Sequence, residues 1–302
     1  MKKVRRKKTD SMREMKAYAE LLIKAALAED VGTGDVTTGP IVSPKERGEA
    51  VFLAKEEFVV AGLFIAERTF SLLDKKIVFT PLYKDGERVK KGKVIARVEG
   101  RLDSILIGER VALNFIQRLC GIATLTAKFV KMVSDTNVKV LDTRKTTPCM
   151  RAIEKYAVKA GGGYNHRYGL FDCVLIKDNH IQAAGTITEA ISRVNRKYKD
   201  GMLIEVEVTN LKETREAVRC GADIIMLDNM GPSMIDKALK IIDNSALVEV
   251  SGGVSLANIK EVARKGVDFI SIGALTHSAP SVDISMEVVS LCGKKRSVKQ
   301  SC

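Results

Sequence analysis

The sequence of 302 residues contains no tryptophan, and 5% of its residues are aromatic. Stacking of single-stranded nucleic acid depends on aromatic side chains, so this mode of binding is not expected. No apolar run reaches the length of about 18 residues that a membrane-spanning helix needs. The basic N-terminus is not followed by the apolar segment of a secretory signal, which favours a cytoplasmic protein.

The six cysteines are widely spaced and include no CxxC pair. Disulfide frameworks of small secreted domains and zinc sites are typically built from closely spaced cysteines, so we expect reduced thiols. Proline is also scarce, at 6 residues, proline and glycine together account for only 29 residues, and 45% of the chain is hydrophobic. This composition excludes disorder as the main state and is sufficient for a large core.

The net charge of +13 is concentrated at the two ends of the chain. Residues 1–16 carry eight basic and two acidic side chains, and residues 294–302 carry four basic and no acidic ones. Two short basic tails are typical of solvated chain ends, and no zinc-finger or RNP motif accompanies them. Nucleic-acid binding is therefore not expected.

The second half of the chain alternates between short apolar runs and segments of helical length. This alternation predicts parallel β/α units, and the absence of a GxGxxG turn after any strand favours a barrel over a dinucleotide-binding sheet. Three helices are predicted from their boundaries: one from Thr147 and Pro148 to Gly161, one starting at Asn210, and one over 255–265. The predicted strands are Val138–Leu141, Cys173–Ile176, Leu203–Val208, Ile224–Leu227, Leu247–Val250 and Phe269–Ile272.

The first half of the chain predicts a different domain. An amphipathic helix is expected over 12–31, and a long helix over 103–130. Between them, short alternating runs predict the strands Glu49–Ala54, Val59–Gly62, Ile77–Thr80 and Val94–Glu99. The expected organisation is a smaller α/β domain that leads by a helix into the barrel.

Charged and small residues directly follow the predicted strands, where a β/α barrel builds its active site. The cations suit carboxylates and phosphates, the acids suit Mg²⁺ or sugar hydroxyls, and the glycine-rich turns offer backbone N–H groups to a phosphate. This pattern favours a polyanionic substrate. The candidates among the acids are Glu205, Glu207, Asp228 and Asp178, and the turns are Ser251-Gly252-Gly253 and Gly273-Ala274.

The segment LDTRKTTPCMRAIEKYAVKAGGGYNHRYGLFDCVLIKDNHI (141–181) closely resembles the signature region of quinolinate phosphoribosyltransferases. The similarity continues through residues 15–290, and includes EDVGTGDVTT (29–38), GERVALNFIQRLCGIAT (108–124), VEVSGGVSLANI (248–259) and ISIGALTHSAPSVDISM (270–286). Cys149 and Tyr164 depart slightly from the family pattern, and neither change removes a charged residue.

This resemblance implies an incomplete β/α barrel of about seven strands with an N-terminal open α/β sandwich domain. The implied sandwich domain covers 12–118, with the segment 279–294 packed back on it, and the barrel covers 119–278; basic tails occupy 1–11 and 295–302. The implied reaction joins quinolinate to phosphoribosyl pyrophosphate and yields nicotinate mononucleotide, pyrophosphate and CO₂ in de novo NAD biosynthesis. A homodimer with a shared active site, or a higher oligomer built from it, is expected.

The resemblance also assigns roles to residues. Mg²⁺ is the expected cofactor, held mainly through substrate, with Glu207 and Asp228 as candidate ligands. Catalysis is assigned to Lys145, Glu207 and Asp228, which also contact the phosphoribosyl group. The 5′-phosphate positions are Ser251, Gly252, Gly253, Gly273 and Ala274. The quinolinate positions are Arg144, His166, Arg167, Lys177 and, donated by the neighbouring subunit, Arg110.

Two other activities fit parts of the pattern. A related phosphoribosyltransferase could act on another anionic base, although a base with one carboxylate needs fewer cations. A Schiff-base barrel aldolase could use Lys177 or Lys145 as its nucleophile. The aldolase accounts less well for the combination of phosphate turns with several cations.

Overall fold

The computed structural model describes residues 11–198, 202–291 and 294–295, so the predicted basic tails fall almost entirely outside the described residues. Across these ranges, no helix combines the length and apolar character that crossing a membrane requires. In chain order, the elements are α1 (Ser11–Val31), α2 (Thr38–Ile41), β1 (Arg47–Ala54), β2 (Phe58–Val59), α3 (Leu63–Leu73), β3 (Val78–Pro81), β4 (Arg88–Val89), β5 (Val94–Arg101), α4 (Leu102–Met132), β6 (Lys139–Leu141), α5 (Arg151–Ala160), β7 (Val174–Ile176), α6 (Asp178–Ala184), α7 (Ile187–Lys197), β8 (Ile204–Val208), α8 (Leu211–Arg219), β9 (Ile224–Asp228), α9 (Pro232–Ile242), β10 (Leu247–Ser251), α10 (Ile259–Val262), β11 (Phe269–Ser271), α11 (Ala274–His277), β12 (Ile284–Leu291) and β13 (Lys294–Lys295).

The chain forms two compact units. Among the described residues, the first contains 11–125, 147–161, 279–291 and 294–295, and the second contains 126–146, 162–198 and 202–278. The sequence had placed 147–161, which includes α5, with the barrel. In the structure this segment belongs to the first unit.

The first unit is built on a five-stranded sheet in the order β13-β12-β1-β5-β3. β1 pairs antiparallel with β12 on one side and with β5 on the other. Side chains from the sheet and from α3 form the core, in which Phe52 meets Phe70 and Phe79 edge-on at 6.0 and 5.9 Å between ring centroids. The predicted long helices correspond to α1 and α4, and the strands predicted around 49–54, 77–80 and 94–99 are also present.

The predicted strand Val59–Gly62 is wrong beyond its first residue. β2 ends at Val59, and Gly62 adopts a left-handed conformation with φ of 89° at the start of α3. Asp85 accepts a hydrogen bond from the Gly62 N–H at 2.8 Å. This bond satisfies a backbone donor at the helix start and explains why the apolar run turns into a helix.

The predicted start of the helix at Thr147 and Pro148 is also wrong. Cys149 has φ of 61°, a conformation that cannot continue a helix, and α5 begins only at Arg151. Thr147 instead donates its backbone N–H and its hydroxyl to Glu154, at 3.0 and 2.8 Å. The Glu154 carboxylate is fully buried and is also held by Arg118 at 3.0 Å, so it is paired despite its burial.

The second unit contains a six-stranded parallel sheet in the order β6-β11-β10-β9-β8-β7. All six strands lie within two residues of their predicted positions. A seventh position is occupied by Tyr164, which forms a parallel bridge with Leu141 at the free edge of β6. Among the described residues, no strand pairing joins Tyr164 to β7, so the barrel-like sheet is incomplete.

The register of this sheet brings polar side chains into rows on one face. Glu207 of β8 lies beside Met226 of β9, which in turn lies beside Glu249 of β10. Two residues further along, Asp228 of β9 lies beside Ser251 of β10. Because alternate residues of a strand share a face, these rows form one surface at the carboxyl ends of the strands.

The helices of the second unit agree with the sequence in one case and differ in another. As predicted, Asn210 caps α8 by accepting hydrogen bonds from the backbone of Lys212 and Glu213, both at 3.0 Å. The helix predicted over 255–265 contracts to the four residues of α10. Asn258 explains the contraction, because its amide bonds the Gly253 carbonyl and the Ser255 N–H and so holds this stretch as a turn.

Candidate active site

A cavity of about 750 Å³ opens at the carboxyl ends of the parallel strands in the second unit. Twelve of the thirteen residues to which the family resemblance assigns a role line it, and the thirteenth, Arg110 on α4, does not. These twelve are Arg144, Lys145, His166, Arg167, Lys177, Glu207, Asp228, Ser251, Gly252, Gly253, Gly273 and Ala274. The other two candidate acids, Glu205 and Asp178, do not line it either. Residues distant in the sequence thus form one strongly polar site.

The predicted quinolinate cations differ in how firmly they are held. Arg167 is 9% exposed, and its guanidinium donates to the carbonyl of Cys173 at 3.0 Å. Its buried Nε has no hydrogen-bond partner within the described part of the chain. Lys177 follows β7 and forms an ion pair with Glu207 of β8. Arg167 is therefore a rigid, incompletely satisfied cation, whereas Lys177 already has an acidic partner.

Lys145 lies in the loop after β6 and is held through its backbone. The Thr276 hydroxyl donates to the Lys145 carbonyl at 2.7 Å. The side chain of Lys145 passes close to Gly273, where an added Cβ would approach its Cδ to 3.0 Å. The fixed backbone keeps the ammonium group at the cavity, beside a turn predicted to bind phosphate.

The turn Ser251-Gly252-Gly253 directly follows β10. Gly252 and Gly253 have φ of 88° and 61°, and such left-handed conformations point successive backbone N–H groups into a concave anion-binding surface. Asn229 packs against this turn and donates its backbone N–H to the Ser251 carbonyl at 2.9 Å. The amide of Asn229 also donates to Asp228 at 2.8 Å, which connects the turn to the carboxylate.

Two buried carboxylates contact His166, which lines the cavity. Glu205 and Glu249 are each 1% exposed. Their oxygens approach Nε2 of His166 at 3.1 and 3.5 Å, respectively. The other ring nitrogen, Nδ1, accepts a hydrogen bond from the backbone N–H of Arg167 at 2.8 Å.

This cluster binds a proton tightly. Burial opposes a charged ring, but the hydrogen bonds that the ring donates to Glu205 and Glu249 outweigh it and raise the pKa of His166 to about 10. Burial and the neighbouring Glu249 carboxylate likewise raise the pKa of Glu205. Because Nδ1 accepts the Arg167 N–H, the ring proton lies on Nε2, and the additional proton is held by the ring and the two carboxylates as a cluster.

We expect the cluster to make stability depend on pH in the alkaline range. A pKa that is higher in the folded state stabilises the fold fully below the unfolded value of about 6.5, and the contribution is lost as pH rises toward the folded value. Urea unfolding of the wild type and of His166→Gln should show this. From about pH 6.5 to pH 9, the wild type should lose about 3 kcal/mol more than the variant. Equal losses in the two proteins would contradict the assignment.

Two sets of residues could be considered for a metal. His166, Glu205 and Glu249 place ligand atoms within 4.8 Å of one another, but the ion pairs just described account for that proximity. Glu207 and Asp228 instead offer carboxylate oxygens at the cavity wall, where a hard cation would also reach a bound phosphate. Their chemistry fits Mg²⁺ better than the buried histidine cluster does.

Several cavity residues were not identified from the sequence. Glu249 could have been found, because strand alternation places it on the same face as Ser251 two residues later. His277 ends the GALTH motif, whose glycine was recognised. Asp178 was considered as a cation ligand but is exposed on α6 and does not line the cavity. The unidentified lining residues are Thr143, Leu175, Met226, Asn229, Glu249, Val254, Ser271, Ile272 and His277.

Comparisons with known proteins agree over both units. The family model described as the quinolinate phosphoribosyl transferase N-terminal domain matches residues 35–120, and the model of the C-terminal domain matches residues 122–287. A Bacillus subtilis protein named probable nicotinate-nucleotide pyrophosphorylase (carboxylating) is 44% identical over 281 residues, which cover 93% of this chain and 96% of that protein. The chloroplastic nicotinate-nucleotide pyrophosphorylase (carboxylating) of Arabidopsis thaliana is 42% identical, with 88% of this chain and 82% of that protein covered.

Solved structures show the same relationship. NadC from Streptococcus pyogenes superposes with a TM-score of 0.86 at 42% identity, covering 90% of this chain and 95% of that chain. The nicotinate-nucleotide pyrophosphorylase from Francisella tularensis superposes with a TM-score of 0.85, also at 42% identity, covering 90% of this chain and 96% of that one. With a matching sequence, matching domains and the predicted residues gathered in one cavity, the chain belongs to the quinolinate phosphoribosyl transferase family.

Proposed function

We propose that the protein transfers the phosphoribosyl group of phosphoribosyl pyrophosphate to quinolinate, releasing pyrophosphate and CO₂ and forming nicotinate mononucleotide. The observation that carries this proposal is the single cavity that combines several cations, two acids and two glycine turns. The names of the relatives support the same reaction. They favour it over both a Schiff-base aldolase and a transferase for another base. The step would serve de novo NAD biosynthesis, in the cytoplasm as the sequence predicts.

Quinolinate carries two carboxylates, and binding them away from water requires several cations. Arg144, Arg167 and Lys177 line the cavity and supply this charge. A guanidinium fork binds a planar carboxylate through two parallel hydrogen bonds, whereas an ammonium acts as a point charge. A base with a single carboxylate would leave part of this positive charge unmatched, which favours the diacid.

The phosphoribosyl pyrophosphate is assigned to the glycine turns, the two acids and Lys145. The backbone N–H groups of Ser251-Gly252-Gly253 and of Gly273-Ala274 suit its 5′-phosphate. Glu207 and Asp228 suit ribose hydroxyls or a bound cation, and Lys145 suits the pyrophosphate. Mg²⁺, when bound with the substrate, would neutralise charge on the leaving pyrophosphate.

The bond-making step needs no base from the protein, because the pyridine nitrogen of quinolinate already has a lone pair. As the bond to pyrophosphate breaks, positive charge grows on the sugar and negative charge grows on the leaving group. Glu207 and Asp228 would stabilise the first, and Lys145 the second. The alkylated ring nitrogen then withdraws electrons, so the adjacent carboxylate can leave as CO₂.

The proposal is tested by measuring pyrophosphate and CO₂ release with quinolinate, phosphoribosyl pyrophosphate and Mg²⁺. We expect both products in equal amounts, and no turnover when Mg²⁺ is removed with a chelator. Nicotinate in place of quinolinate is the matched control. Comparable turnover with nicotinate would overturn the quinolinate assignment, and a borohydride-trapped adduct on Lys145 or Lys177 would favour the aldolase instead.

We also propose a homodimer in which Arg110 of one subunit completes the cavity of the other. The Arg110 side chain is 59% exposed, and its ionic contact with the neighbouring Glu109 is a long one of 4.0 Å. Mixing Arg110→Ala with Lys145→Ala subunits should restore part of the activity, because one site of each hybrid dimer would then be intact. Verified hybrids without activity would contradict the shared site.

A further inference from the structure

The two buried carboxylates that contact His166 have no role in the reaction as proposed above. Glu205 and Glu249 are each 1% exposed, and one oxygen of Glu249 has no hydrogen-bond partner in the described residues. Burying a carboxylate is costly unless it is paired. Two carboxylates next to His166 also repel a dianionic substrate bound in the cavity. We therefore expect them to have a function that outweighs this cost.

The contacts of His166 indicate that the two carboxylates hold its ring in a fixed orientation. Its Nε2 lies 3.1 and 3.3 Å from the two oxygens of Glu205, and its Nδ1 accepts the backbone N–H of Arg167 at 2.8 Å. Both ring nitrogens are thus engaged by the protein. The backbone of His166 is fixed as well, because its N–H donates to the fully buried Asp142 at 2.9 Å. The His166 ring thus contacts Glu205 and Glu249 through Nε2 and the backbone of Arg167 through Nδ1.

Arg167 is the residue that depends on this connection. Its side chain is largely buried, and its guanidinium is held from the other side by the carbonyl of Cys173. The segment that carries it contributes a single bridge, at Tyr164, to the sheet and has no strand of its own among the described residues. Side-chain contacts therefore replace strand pairing in holding Arg167.

We propose that Glu205, assisted by Glu249, is a positioning residue that orients the His166 ring and, through it, the quinolinate-binding Arg167. His166 then acts on the substrate through Arg167 and not through a hydrogen bond from a free ring nitrogen. This inference rests on the proposed function, because it takes quinolinate as the ligand of Arg167. We expect Glu205 to contribute more to this orientation than Glu249, because its oxygen lies 3.1 Å from Nε2 whereas that of Glu249 lies 3.5 Å away.

Steady-state kinetics of Glu205→Leu and Glu205→Gln test the proposal. Leucine removes the acceptor, so the KM for quinolinate should rise about tenfold, while the KM for phosphoribosyl pyrophosphate stays within about twofold. Glutamine retains an acceptor oxygen and should restore the quinolinate KM to within about threefold of the wild type. If the two acids acted by charge alone, both variants would instead lower the quinolinate KM, and this result would overturn the proposal.

A double-mutant cycle separates positioning from general damage to the fold. In a His166→Gln background, Glu205→Leu should change the quinolinate KM by less than about twofold, because its effect passes through the ring. Fully additive effects, or parallel rises in both KM values, would overturn the proposal. Should Glu205→Leu not fold, Glu249→Leu provides the same test with an expected rise of about threefold. A wild type without quinolinate turnover would refute the proposed function, whereas an active wild type with an unaffected Glu205→Leu would refute this inference alone.

Discussion

Replacing Lys145 with alanine is expected to lower kcat/KM by about a thousandfold. The physical reason is that the Lys145 ammonium is placed to neutralise the leaving pyrophosphate, a charge that develops only as the bond breaks. The backbone of Lys145 is held by Thr276, so the loss should come from the missing charge and not from a displaced loop. Most of the loss should appear in kcat, measured at saturating concentrations of both substrates.

A matched control for this variant is Lys212→Ala. Lys212 is exposed on α8 of the same unit and does not line the cavity. Its replacement should leave kcat/KM within about twofold of the wild type. A loss of less than about tenfold for Lys145→Ala would show that the pyrophosphate is neutralised by other groups.

The substitution Gly252→Ala should lower kcat/KM at least about a hundredfold. An added Cβ would lie 2.3 Å from the amide oxygen of Asn229 and 2.9 Å from its backbone nitrogen. Asn229 cannot simply move aside, because it bonds both Ser251 and Asp228. The clash should therefore disturb the phosphate turn and the Asp228 carboxylate together, raising the KM for phosphoribosyl pyrophosphate.

Gly253→Ala is the control for backbone strain. Gly253 is also left-handed, with φ of 61°, but a Cβ at this position would meet no atom within 4 Å. It should cost about 1 kcal/mol of stability from strain alone, with a much smaller loss of activity. Equal losses of activity in the two variants would show that conformational strain, and not the contact with Asn229, governs the turn.

Local patterns in the sequence were sufficient to predict the positions of the parallel strands and most of the charged and glycine residues of the site. Each parallel strand is a short apolar run, and the residue that ends it carries the chemistry, so Lys177 and Asp228 could be placed without coordinates. The helix cap at Asn210 was also predictable, because its side chain accepts a hydrogen bond from the backbone N–H of Lys212, only two residues away. Where the chain departs from the expectation, a distant or unusual contact is responsible. Asp85 starts α3 at Gly62, and the left-handed Cys149 delays α5.

The sequence by itself determined the alternation of strands and helices, the family resemblance, and the identity of twelve of the residues at the cavity, because these depend on the order of residue types along the chain. Only the tertiary structure decided which charged side chains form ion pairs with one another. Lys177 is paired with Glu207, and His166 is enclosed by Glu205 and Glu249 from two different strands. Such pairs depend on the register between strands that lie far apart in sequence, and hydrogen bonding across a folded sheet sets that register.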